Sequence, residues 1–335
     1  MSKADIAAAV LWAGVTAYAI FGGADFGAGI WDLLAGGDKR GERPRELMDR
    51  VITPVWEANN VWLIFILVIA WSAFPEPFAA VMTTCFVPLS LAALGIVLRG
   101  GAFAFRKMSV PLTQRRLHGG VFAFASVLTP LMLGTVAGAI ASGRIPPEGS
   151  GNPVSSWLNL TSITIGVLLV SACAYIAAVF LTSDSRRLGD EELTAYFRRR
   201  AIAAGAVAGA LAFAGLLVLR ADARDLYDGL VGSELPLVIL SALCGVGAIV
   251  ALVRGAQRVP RVLAALAVTS VVWGWGLAQH PEVLPGGFTI EQAAAPDGTM
   301  TLLFIVFGAA AVWVVPALML LYRLHQRSLL AEPTD

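Results

Sequence analysis

Long apolar runs, separated by short polar ones, set the pattern of the chain. They lie at about 6–34, 51–73, 78–98, 119–141, 161–181, 201–219, 235–253, 262–279 and 300–321. Each approaches the ~20 residues that carry a helix across a bilayer, so the pattern predicts nine transmembrane helices. The first run continues through "FGGADFGAGIW", past any plausible cleavage site for a signal peptide, and is expected to be retained. No loop exceeds about 20 residues, too short to bury a core of its own. The expectation is therefore an all-α integral membrane protein with one polytopic membrane domain over 1–335. An even division would give halves 1–142 and 155–279 with a last helix at 300–323, although no sequence repeat marks it.

Composition sharpens the class: 57% of the residues are hydrophobic and 14% charged, with a mean hydropathy of +0.75, far from the usual soluble balance of about a quarter charged. The net charge of +1 hides an asymmetry. With the N-terminus outside, 20 of the 24 Lys and Arg fall in inner segments: 39–50, 99–116, 186–200, 254–261 and 323–327. Lys and Arg accumulate on the cytoplasmic side, so an N-out/C-in arrangement is expected. Nothing in this distribution suggests a nucleic-acid partner.

The chemistry the chain could carry alone is narrow. Haem in a helical bundle needs axial His, Met or Cys ligands within the membrane, yet His118, His280 and His325 all fall at helix ends or beyond. Met82, Met132 and Met319 read as packing residues. Cys85, Cys173 and Cys244 are isolated on different runs and suggest neither a metal site nor a disulfide framework. The glycines of "GGADFGAG" follow no strand and lack a P-loop lysine, so phosphate binding is implausible there. Gly23 and Gly27 instead have the spacing of close helix–helix packing, which would surround Asp25.

Two carboxylates stand out. Asp25 lies past the middle of the first run, where facing lipid would cost about 2.5–3.5 kcal/mol, so a neighbour, a cavity or water is expected beside it. Glu57, in "PVWEANNVW", starts the second run from the cytoplasmic side, and Trp56, Glu57 and Asn60 share one helix face with Asn59 on its flank. Two acids at similar depth with amides between them could hold water and pass protons inward. Equally, Glu57 could sit among headgroups, paired with Arg50 and serving only as an anchor.

At this point the residues resemble the second subunit of cytochrome bd-type quinol oxidases. The resemblance rests on "GGADFGAGIWDLL", "TPVWEANNVWLIF" with the following "AFP", "LRGGAFAFR" and "WGLAQHPEVLPGGFTIEQAAAP", in order over nearly the whole chain. It implies two four-helix bundles plus a peripheral helix. It also implies a haem-bearing first subunit with haem b and haem d-type groups, quinol oxidation coupled to reduction of dioxygen to water, and a prokaryotic cytoplasmic membrane. Small single-helix subunits and a bound quinone would also be compatible.

By position, Asp25, Glu57 and Asn59 match proton-path residues of the family. Trp56, Trp62, Arg99 and Arg106 match positions near the subunit interface or the quinone and oxygen routes. The two arginines are read as inner-loop residues, for which positive-inside anchoring is an equal explanation. The partners of the buried acids are expected across the seam with the other subunit. Glu57 stands where the family has Asp, and Ala104 and Gly22 stand where acids are common, which marks a divergent member. A proton-coupled secondary transporter using Asp25 and Glu57 is the rival from another class; an assembly partner without any proton role is the third reading.

Overall fold

The computed structural model describes the backbone at 2–52, 56–108 and 112–326, and within these the side chains other than those at 38–40, 51, 52, 56–59, 106–108, 112, 113, 115, 116, 322, 325 and 326. The first membrane span joins α1 (Lys3–Ala17), a π-helical turn (Tyr18–Gly22) and α2 (Gly23–Leu33). Ser2 and Asp5 form a capping box that starts it. An amphipathic helix, α3 (Asp38–Ile52), leads to α4 (Trp56–Ala73), α5 (Pro75–Thr84) and α6 (Phe86–Met108). Then follow α7 (Leu112–Ala141), α8 (Leu160–Arg187), α9 (Glu191–Asp222), α10 (Arg224–Val231), α11 (Leu235–Val253) and α12 (Val259–Gln279). A two-stranded hairpin, β1 (Glu282–Leu284) with β2 (Phe288–Thr289), and the short α13 (Ile290–Ala293) precede α14 (Asp297–Gln326).

Eight helices among the described residues are long and apolar enough to span a membrane; the ninth expected span corresponds to the pair α4 and α5, bent by 119°. Here the structure corrects the sequence reading. The third span does not start at 78, because Pro75 and Pro77 open a separate short helix, and the membrane helix begins at Phe86 after a break at Cys85. The hairpin is a small exception to an all-helical chain. Its base is tied by Gln279, whose Nε2 donates to the Val283 carbonyl at 2.8 Å while its Oε1 accepts from Trp275 Nε1 at 2.8 Å.

Helices α8, α9, α11 and α12 pack in a ring, each against two of the others, and α2 lies on both α7 and α8. Helix α6 packs on α7, α4 on α1, and α14 reaches the rest through α4 and α1 alone among the larger contacts. Large apolar side chains point outward all round, Trp313 being 81% exposed and Leu243 66%. A surface this apolar is untenable in water and suits hydrocarbon, in keeping with a multi-pass membrane protein.

Helices can approach to backbone contact only where side chains vanish. A Cβ placed on Gly27 would lie 1.9 Å from the Cys173 carbonyl oxygen of α8, and one on Gly29 2.1 Å from Ser126 Oγ of α7. Gly138 meets the Ser162 Cα in the same way, at 2.4 Å. Trp31 Nε1 donates to the Ala174 carbonyl at 2.8 Å and secures the α2–α8 contact.

Gly27→Ala would force α2 and α8 apart at their backbones, whereas a Cβ at Gly101 meets no described atom within 4 Å. Gly27→Ala is expected to cost at least ~3 kcal/mol, the upper end of overpacking penalties, and Gly101→Ala close to nothing. Thermal melting of the two variants in detergent checks this; equal melting temperatures would contradict the close-contact account.

Candidate functional site

The polar centre of the bundle forms where α2, α6 and α7 meet. Asp25 sits two residues before the glycine that seats α2 on α8, so its side chain is turned into the protein and is 5% exposed. Just upstream, the π turn carries Tyr18, whose ring crosses the position a Cβ of Gly22 would occupy, 2.8 Å away. Such a turn inserts a residue and re-registers the helix beyond it. The Tyr18 hydroxyl is buried with no hydrogen-bond partner among the described residues.

Arg99 of α6 meets Asp25 as a fork. Its Nη2 lies 2.6 Å from Asp25 Oδ1 and its Nη1 2.7 Å from Oδ2, while Nη2 also donates to the Asp25 carbonyl at 3.0 Å. The remaining edge is used too: Nε donates to Ser126 Oγ at 3.0 Å, and that hydroxyl donates to the Phe122 carbonyl of its own helix at 2.8 Å. The rings of Phe26 and Phe122 lie 4.9 and 4.8 Å from the guanidinium carbon. A planar cation thus has a carboxylate at one edge, a hydroxyl at another and aromatic rings nearby, the environment that lets arginine remain charged away from water.

This overturns two expectations. Arg99 is not an inner-loop anchor: it is the fourteenth residue of α6, about 20 Å along the helix at 1.5 Å per residue, and it is 5% exposed. The partner of Asp25 is therefore not across a seam with another subunit but within this chain. Ser126 and Tyr18, which sequence reasoning did not single out, complete the surroundings. The side chains of Trp56, Glu57, Asn59 and Arg106 lie outside the described residues. Trp62 is half-buried, stacked on Phe21 of the π turn at 6.4 Å and edge-on to Phe65 at 6.1 Å, which in turn contacts Phe307 of α14 at 5.2 Å.

One end of the bundle is held by a second set of ion pairs. Asp32, two turns beyond Asp25 on α2, accepts from Arg45 Nε of α3 at 2.7 Å, and Arg45 Nη2 also donates to the Gly36 carbonyl at 2.5 Å. Arg43 bonds Asp190 at 2.7 Å and also pairs with Glu192. Asp190 is at once the N-cap of α9, accepting from Leu193 N at 3.0 Å. That N–H, and then Arg43, holds the Asp190 carboxyl below the usual carboxylate range. The carboxylates on α3's neighbours thus fix the helix that runs into α4.

His118 stacks on Phe105 at the start of α7 and His280 is half-exposed beside Asp5 at the opposite end; Met82 and Met319 point outward, 39% and 57% exposed. The described residues include no group of three or more His, Cys, Asp or Glu placed to hold a metal ion.

Comparison with known proteins gives a consistent picture. The family model described as cytochrome bd terminal oxidase subunit II matches residues 3–325. A Bacillus subtilis (strain 168) protein named putative cytochrome bd menaquinol oxidase subunit II is 23% identical, over 97% of this chain and 96% of that protein. A second from the same organism, named cytochrome bd ubiquinol oxidase subunit 2, is 28% identical over 66% of this chain and 64% of its own length. A chain of the bd oxidase structure from Geobacillus thermodenitrificans superposes with a TM-score of 0.77 at 24% identity, covering 97% of this chain and 98% of that one, which establishes likeness of fold.

Removing one half of the Asp25–Arg99 pair strands the other charge, a change typically worth 3–5 kcal/mol, whereas replacing both with apolar residues is often near neutral. Asp25→Leu alone is expected to destabilise by about 3–5 kcal/mol, and Asp25→Leu/Arg99→Met to regain most of that. Unfolding in detergent reads both. A double variant as unstable as the single one would mean that the pair is not a self-contained unit.

Proposed function

The chain belongs to the cytochrome bd terminal oxidase subunit II family, and from that premise we propose that it is the haem-free second subunit of a bd-type quinol:oxygen oxidoreductase in a prokaryotic cytoplasmic membrane. The observation that carries this reading is the family match over residues 3–325. The haems b and d belong to a first subunit, which oxidises quinol and reduces dioxygen to water; this chain supports that subunit's assembly. The surplus of Lys and Arg at the end of the bundle that carries α3 supports an N-out/C-in orientation.

In this reading the two sequence candidates for proton handling have different roles. Asp25 has both oxygens bonded to one buried guanidinium, for which it is the counter-charge. Asp25 is a structural counter-ion that fixes α2 against α6. Glu57, on the first turn of α4 at the basic end, is the proton carrier, taking up protons from the cytoplasmic side and passing them toward the partner, with Asn59 beside it. The tether of α3 through Arg45 and Arg43 supports this assignment, because α3 delivers the chain to α4. Glu in place of the family's Asp keeps the titratable group and moves it by one methylene.

The transporter alternative would need broken helices around a midplane site. The first span is interrupted by a π turn and α4 and α5 form a bent pair, but Asp25 beside that turn is bonded to Arg99 and so is not free to bind a coupling ion, which favours the oxidase reading. Glu57→Gln in the assembled complex is expected to retain the haem spectrum of the partner while quinol-oxidase turnover falls at least ~100-fold, the lower range for general acid–base groups. Full turnover with normal assembly would leave the chain an assembly partner without a proton role. A colourless chain that purifies alone and moves solute across vesicles would overturn the oxidase reading itself.

A further inference from the structure

We propose that the basic end of the bundle carries a site for the headgroup of an anionic phospholipid, at the junction of the C-terminal end of α8 with the α11–α12 turn. The turn reads Arg254-Gly-Ala-Gln-Arg258. Gly255 takes φ +73, a conformation that side chains resist, and the two bonds that close α11, Gly255 N to the Leu252 carbonyl at 3.1 Å and Ala256 N to the Ala251 carbonyl at 2.9 Å, fix its shape. Arg186 of α8 reaches across, its Nη1 donating to the carbonyls of Gly255 at 2.5 Å and Ala256 at 3.1 Å.

Five arginines lie at this junction, Arg186, Arg187, Arg254, Arg258 and Arg261, and among the described residues the carboxylate that pairs with any of them is Asp184. That carboxylate is already engaged, 2.9 Å from Arg261 and 3.8 Å from Arg187. Arg186 is oriented by carbonyls and has no acid among the described residues. Arg254 and Arg258, at the two ends of the turn, are exposed. No ion pair of either is found among the described residues. A scatter of positive-inside anchors does not demand such an arrangement. Here two unpaired guanidiniums flank a rigid turn beside a third whose position is set by the protein.

The surroundings select the occupant. Val253, Val259 and Val262, next to these arginines in sequence and on the apolar helices α11 and α12, are 62%, 51% and 56% exposed. A cationic turn above an aliphatic wall matches a molecule with a phosphodiester above acyl chains, and forked guanidiniums bind phosphate oxygens in pairs. A free anion would use the arginines but gain nothing from the valines. Basic pockets between membrane helices at the cytoplasmic face are the setting in which anionic headgroups are recognised.

The assembled complex, released from nanodiscs containing equal phosphatidylglycerol and phosphatidylcholine, is read by native mass spectrometry. The wild-type complex is expected to retain phosphatidylglycerol above the bulk ratio. Arg254→Gln/Arg258→Gln is expected to lower its apparent affinity roughly tenfold or more, from about one headgroup attraction per arginine lost. Neither side chain has an ion-pair partner among the described residues, so the variant should keep its haem spectrum. Arg220→Gln/Arg224→Gln, at the opposite end of the bundle, should leave retention unchanged. Equal retention in wild type and the Arg254/Arg258 variant would overturn the site. An equal loss in the Arg220/Arg224 control would reduce it to general surface charge. Displacement of the lipid by millimolar inorganic phosphate would assign the turn to a soluble anion instead.

Discussion

One buried ion pair constrains how three helices of the bundle fit together. A carboxylate and a guanidinium, each 5% exposed, can persist in a medium of low dielectric only if they meet within hydrogen-bond distance and if the leftover donors find acceptors. Asp25, Arg99 and Ser126 come from three different helices, so satisfying that demand fixes the mutual rotation and height of α2, α6 and α7. Apolar contacts alone would tolerate sliding, because lipid tails are as good a neighbour as Leu. The pair supplies the register that they do not. The glycine contacts supply the distance: without Gly27 against the Cys173 carbonyl, α2 could not sit deep enough in the cleft of α7 and α8.

A second requirement concerns the polar end. Helix α3 is too charged to enter the membrane and lies across the helix ends, held by Leu47 and Met48 in the core and by Arg43 and Arg45 on acids of other helices. Asp190 performs two tasks there, capping α9 and holding Arg43, and both depend on its negative charge. Because its carboxyl is held below the usual range, the charge is present at neutral pH and is lost only as pH falls through the acid range, so this tether weakens on acidification.

The membrane class, the locations of most membrane helices and the inward orientation of Asp25 could be read from the sequence, because hydropathy over ~20 residues and the high cost of an unpartnered charge leave little freedom. The identity of Asp25's partner could not, and the reason is local. Pro75 and Pro77 open a short apolar helix that hydropathy alone merges with the next span. Starting the third helix at 78 puts Arg99 about 30 Å along it, at the far surface; starting it at Phe86 puts Arg99 about 20 Å along, inside the hydrocarbon. An eight-residue error in a boundary turned a buried counter-ion into an apparent surface anchor. The π turn at Tyr18–Gly22 was equally hidden, since it accompanies a ring lying over a glycine and no change in hydropathy marks it.

Once Arg99 is placed, the two acids of the sequence separate by physical circumstance. A group that shuttles protons must exist in both charge states at comparable cost, which requires a surrounding that can relax or hydrate. Asp25 has both oxygens bonded to a guanidinium whose Nε is in turn bonded to Ser126, and aromatic rings lie close to the cation. Changing its charge would unbalance three helices at once. In the reading proposed above, a bundle held by this pair is what would let a titrating group elsewhere change charge without disturbing the fold.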